Sequence, residues 1–136
     1  MREFKDKFLN NTQWIYIIPQ AEKDILFSHA GISKKWMELY KIKSITEINS
    51  MPPCEAFGFT PCKMGDYYGT SATQPPTWIR PGTLIDNKID DYIQVVGHTR
   101  LLKDEIKYDR DCWFCDALPH QYLVIEDNEF KIKTFK

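Results

Sequence analysis

The sequence predicts an α+β chain, mostly β-strand with one or two short helices. Three observations carry this expectation. Residues 14–18 and 24–28 are short runs rich in β-branched, aromatic and other apolar side chains, a composition that suits strands. One clear helical stripe, Ile32, Trp36, Leu39 and Tyr40, follows the first glycine corner. From Cys112 onward the chain reads as short strands and turns, ending in an alternating segment.

The elements follow in order. Phe4, Phe8 and Leu9 have helical spacing, and Asn10 and Asn11 end that segment. Residues 14–18 are a strand and residues 19–23 a turn that begins at Pro19. Residues 24–28 form a second strand, whose apolar centre implies burial on both faces. Ser33 is a good N-cap for the helix that carries Trp36. A second short helix fits residues 45–49, before Pro52 and Pro53 stop it. Residues 50–83 are irregular and hold six of the eight prolines and four of the six glycines. Phe57, Phe59, Tyr67, Tyr68 and Trp78 make this stretch too aromatic for a disordered linker. Two readings stay open for it, a binding loop or a cover over a sheet edge. Residues 85–92 connect with some helical character, and residues 92–96 are a strand. Residues 112–116, 121–125 and 130–135 are further strands, with Asp127 and Asn128 at the last turn. No internal repeat or linker divides the chain, so residues 1–136 read as a single domain.

Composition narrows the function classes. A net charge of -1 excludes a nucleic-acid or anionic-membrane partner held by bulk electrostatics. No apolar run approaches the roughly 20 residues of a membrane span. The first residues lack the apolar core of a secretory signal, so a cytoplasmic location is expected. In that setting the four cysteines do not imply a disulfide framework. Cys112 and Cys115 have zinc-knuckle or redox spacing, but Cys54 and Cys62 lie too far apart for a second knuckle. A non-catalytic zinc-binding or interaction module using Cys112 and Cys115 is therefore the alternative function.

Two of the three histidines carry the main chemical signal. His29 and His98 each stand where a short apolar run stops, beside Ala30–Gly31 and after Gly97 respectively. Neighbouring strands can deliver two such imidazoles to one divalent transition metal. Gly31 and Gly97 leave room where backbone and ligands crowd. Ser28 and Thr99 are placed to orient a ring or a bound water. Arg80 follows Trp78 among prolines 75, 76 and 81, and its planar fork matches phosphate oxygens. His120 follows a proline in a turn and is expected to be exposed and structural. Asp116 ends a strand, where it can cap a turn.

Four motifs in order resemble the calcineurin-like metallophosphoesterases, in the branch of serine/threonine phosphatases and dinucleotide polyphosphatases. They are Phe27-Ser28-His29-Ala30-Gly31-Ile32-Ser33, Pro76-Thr77-Trp78-Ile79-Arg80-Pro81, Val95-Val96-Gly97-His98-Thr99 and Cys115-Asp116-Ala117-Leu118-Pro119. The resemblance runs from about residue 13 to the C-terminus. It implies that His29 and His98 ligate one metal and that Arg80 grips the substrate phosphate. It implies a dinuclear centre of manganese, iron or zinc that activates water and stabilises in-line phosphoryl displacement. Arg100 stands where the nuclease-like branch carries a second histidine, which fits the phosphatase branch.

The motifs that supply the bridging aspartate, the other ligands and the proton donor are absent, and no residue here takes a catalytic role. The expected fold is then the C-terminal half of a two-sheet sandwich, mostly antiparallel, with an apolar face left open. Expected partners are a phosphorylated protein or small molecule, together with a missing N-terminal half or a second copy. A fragment, a split protein and an inactive remnant all fit this pattern.

Overall fold

The computed structural model describes residues 12–58 and 70–135. The expected helix at Phe4, Phe8 and Leu9 lies outside these residues, as do Phe59, Cys62, Tyr67 and Tyr68. Among the described residues seven strands form two sheets. Strands β1 (Ile15–Ile18), β2 (Asp24–Ser28), β3 (Tyr92–Val96), β4 (Lys107–Asp109) and β5 (Cys112–Phe114) build the larger one, in the order β1-β2-β3-β5-β4. Strands β6 (Gln121–Glu126) and β7 (Glu129–Thr134) form a separate antiparallel hairpin. Helix α1 covers Lys34–Leu39 and helix α2 covers Pro81–Asn87.

The class is α+β, but the large sheet is mixed. Its outer pairs, β1 with β2 and β4 with β5, are antiparallel, whereas β2 pairs β3 and β3 pairs β5 in parallel. The reason lies in the connection. The chain between β2 and β3 carries α1 and α2, long enough for a crossover, and a crossover returns a strand in parallel. Periodicity within each strand does not reveal that choice.

Ser33 caps α1 as expected. Its hydroxyl accepts from the Trp36 N–H at 3.0 Å and donates to the Ala72 carbonyl. Trp36 is fully buried, and its indole N–H donates to the Ala56 carbonyl at 2.8 Å. Leu39, expected on the buried stripe, is 56% exposed. The helix turns Trp36, Met37 and Tyr40 toward the core, and at 100° per residue Leu39 falls on the other flank of Trp36.

The expected second helix is a 3-10 segment, Ile45–Ser50, capped by Ser44. Within the irregular stretch, Ala56 and Phe57 serve as structural cover. Phe57 stacks on Trp14 at 3.8 Å between centroids, and Ala56 and Phe57 join the core around Leu26 and Trp36. Helix α2 starts earlier than expected because Pro81 suits the first helical position, where no backbone donor is needed.

Alternation divides the large sheet into two faces. Ile15, Leu26, Gln94, Val96, Cys112 and Phe114 point to the helix side, and the two buried clusters of the core lie there. Tyr16, Ile25, Phe27, Ile93, Val95 and Trp113 point to the other side, which is also apolar. Over that face the hairpin contributes the stack of Phe130 on Trp113, with centroids 5.1 Å apart. Tyr16 stays 59% exposed. No helix among the described residues is long and apolar enough to cross a membrane.

Candidate metal centre

The parallel pairing brings the two histidines together. Ser28 and Val96 are register partners at the ends of β2 and β3, so both strands deliver their next residues to one edge of the sheet. The Gly97 N–H donates to the His29 carbonyl at 3.0 Å and ties the two corners. His29 Nε2 and His98 Nδ1 lie 2.9 Å apart. That is a hydrogen-bond distance. It is also close to the roughly 3 Å that separates two imidazole nitrogens each held at ~2.1 Å by one cation at a right angle.

The backbone at His98 is strained. Its φ is +63°, in the left-handed region that non-glycine residues seldom occupy. The Thr99 N–H donates back to the Gly97 carbonyl at 2.7 Å, closing a three-residue turn around it. Seven other described non-glycine residues, among them Lys41, Asp111 and Asn128, share this region, so here it marks a tight turn. The other nitrogen of the ring, His98 Nε2, is buried without a hydrogen-bond partner among the described residues. It lies on the side of the ring away from the His29 contact, so it is not the nitrogen the pair would offer to a shared ion.

Burial holds the His98 imidazole below its ordinary pKa, and the charges of His29 and Arg80 push it the same way. Asp116 pulls in the opposite direction. The net effect keeps His98 neutral near pH 7, the form that ligates metals.

Arg80 reaches the same edge. It precedes α2, and its guanidinium carbon sits 5.2 Å from the Trp78 ring centroid. The Trp78 ring lies 5.1 Å from that of His98. Arg80 Nη1 donates to Thr99 Oγ1 at 3.1 Å, a contact that the expectation of Thr99 orienting a ring or a bound water did not include. Ser28 Oγ is buried and has no hydrogen-bond partner among the described residues. The two glycines differ. At Gly31, φ is +117° and an added Cβ would lie 2.2 Å from Leu84, so only glycine fits. At Gly97 the nearest atom to such a Cβ is 3.8 Å away, so crowding does not require glycine there.

His29 and His98 therefore fit two positions of a metal shell. No cluster of three or more histidine, cysteine, aspartate or glutamate side chains that could hold a metal occurs among the described residues. His120 is exposed and lies 3.5 Å from Asp104. The Asp116 carbonyl accepts from the Leu101 N–H at 3.1 Å. Cys112 is buried on the helix side, whereas Cys115 lines a groove with His29, Phe27 and Val95 on the opposite face. Cys115 lies one residue past the end of β5.

One functional residue escaped the sequence reading. Gln94 is fully buried in β3, with its side chain hydrogen-bonded to the backbone of Ile32. The signal was a single amide inside the apolar run 93–96. No family model, curated protein or solved structure matches this chain.

Proposed function

We propose that the edge formed by the ends of β2 and β3 is half of a metal-dependent phosphoesterase site. The observation that carries this is the pair of imidazole nitrogens 2.9 Å apart at the carboxyl ends of adjacent parallel strands, with Arg80 alongside. In sheets with parallel strands, ligands gather at that end. His29 and His98 hold one divalent ion, manganese, iron or zinc. When bound, the ion supplies Lewis-acid stabilisation of a phosphoryl oxygen. Arg80 binds and orients the phosphate through its planar fork, with Thr99 and Trp78 restricting its motion. Trp78 packs beside the His98 ring and limits water there.

The substrate is a phosphate monoester or a polyphosphate, on a protein or a small molecule, in a cytoplasmic setting. The remaining ligands come from outside the described residues, and with them a second sheet covers the open apolar face. That sheet belongs to an N-terminal half of the same kind of domain or to a second copy of this chain.

Calorimetric titration with manganese or zinc tests the ligands. Weak binding by the wild type is expected, with loss in the His29→Ala/His98→Ala double variant. Equal affinity in the two proteins rejects the metal assignment. Because His98 is held below its ordinary pKa, protons should compete with the metal for that ring at a lower pH than for an unperturbed imidazole, as titrations at descending pH would show. Co-expression with the N-terminal half of a metallophosphoesterase, followed by a chromogenic monoester assay, tests the activity. Turnover that Arg80→Ala reduces at least tenfold is expected, whereas a stable complex without turnover counts against the reading.

A further inference from the structure

We infer that Gln94 is the positioning residue of the histidine pair, acting through the backbone of Ile32. The inference goes beyond the functional reading, since it concerns how the chain aims the two rings whatever they bind. Gln94 Oε1 accepts from the Ile32 N–H at 2.8 Å, and Gln94 Nε2 donates to the Ile32 carbonyl at 2.9 Å. Two parallel bonds of this kind reproduce one rung of a β-ladder with a side chain in place of a strand. Ile32 lies three residues after His29, and Gln94 lies four residues before His98. The clamp therefore joins the loop that carries one histidine to the strand that carries the other.

The geometry makes this joint stiff. Gln94 and Ile32 are both fully buried, so water cannot substitute for either bond. Between His29 and Ile32 the chain turns at Gly31, whose φ of +117° and closeness to Leu84 admit no side chain there. The Ala30 N–H donates to the Pro76 carbonyl at 2.7 Å, which holds the outer side of the loop. The Gln94 N–H itself donates to the Asp111 carbonyl at 2.8 Å, fixing β3 from its other edge. An apolar residue at 94 would pack well beside Val95 and Val96. It would also leave the Ile32 N–H and carbonyl buried without partners, a cost of about 1–3 kcal/mol per group. A fully satisfied amide pair at this point selects one loop position over its neighbours.

A second clamp of the same form provides the control. Asn49 pairs in the same bidentate way with the backbone of Ile15, at the start of edge strand β1. It braces Ile15, the register partner of Ser28, and so supports the His29 side alone without joining the two corners.

The test compares Gln94→Met, which keeps length and apolar volume but removes both bonds, with Asn49→Ser. Nuclear magnetic resonance of ring-labelled histidine reads the His29–His98 ring-to-ring Overhauser effect and the ring nitrogen tautomers. In the wild type the centroids stand 4.8 Å apart, close enough for a clear effect. Folded Gln94→Met should lose that effect and change tautomer pattern, while Asn49→Ser loses thermal stability yet keeps both. An unchanged histidine pair in folded Gln94→Met overturns the inference, as does equal disturbance of the pair by Asn49→Ser. Should Gln94→Met not fold, Gln94→Glu is read instead. It retains the acceptor for the Ile32 N–H, so a weakened Overhauser effect is expected and an unaltered one is decisive against.

Discussion

The two faces of the large sheet are equally apolar in sequence and differ in what covers them. On the helix side, Leu26, Val96, Cys112 and Phe114 disappear beneath α1, α2 and the loops around Phe57 and Ile79. On the other side, Tyr16 and Tyr108 remain 59% and 52% exposed. The hairpin reaches that face through Phe130 and Trp113, and grooves remain beside Phe27 and Val95 and beside Ile25 and Ile93. Strand composition alone thus says that both faces avoid water, but not whether the chain itself covers them. At the centre of that face Ile25 and Val95 are nonetheless buried, so among the described residues it is partly and not wholly open.

The largest effect expected from this contrast is at Trp36. Trp36→Ala removes a fully buried indole and strands the Ala56 carbonyl, and should cost about 3–5 kcal/mol in chemical denaturation. Tyr16→Ser, on the open face, should change stability by no more than about 0.5 kcal/mol in the isolated chain. A comparable loss at both positions would mean that the open face is covered after all.

The histidine corners sharpen the comparison at smaller scale. Gly31→Ala forces a left-handed φ on alanine and drives its methyl into Leu84, so a loss of about 1–3 kcal/mol is expected. Gly97→Ala meets only the His29 carbonyl at van der Waals distance and should stay within about 1 kcal/mol. Thermal melts of both variants decide this, and a reversed order would contradict the loop geometry.

The smallest effect is chemical. Desolvation pushes the thiols of Cys112 and Cys115 up to about 11. In a Cys54→Ser/Cys62→Ser background at pH 8, about one thiol in a thousand is then ionised. Labelling by an aromatic disulfide reagent should be orders of magnitude slower than in urea. Rapid native labelling of Cys115 alone would show that its side of the sheet admits solvent more freely than the structure indicates.

Much of this was legible in the residues. Ser33 announced its helix because a hydroxyl before an apolar stripe satisfies an orphan backbone donor, a purely local matter. The strands that carry His29 and His98 were visible from their apolar centres, and their proximity was a sound expectation once the strands were adjacent. Leu39 was misplaced because a six-residue helix offers two flanks and spacing does not choose between them. The contact of Thr99 with Arg80 was not foreseen, because residues 80 and 99 meet only after α2 and β3 have packed.

The sequence by itself determined six of the seven described strands, though not the short exposed β4, together with the cap, the turn residues and the chemical types at the two corners, since each depends on neighbours a few positions away. Tertiary structure decided that β2 and β3 run parallel, that Gln94 clamps Ile32, that Gly31 is obligatory and Gly97 is not, and that Tyr16 stays exposed where Ile25 on the same face is buried. Those outcomes depend on residues tens of positions apart meeting in a dry interior. There each buried polar group needs a partner and each added atom needs space.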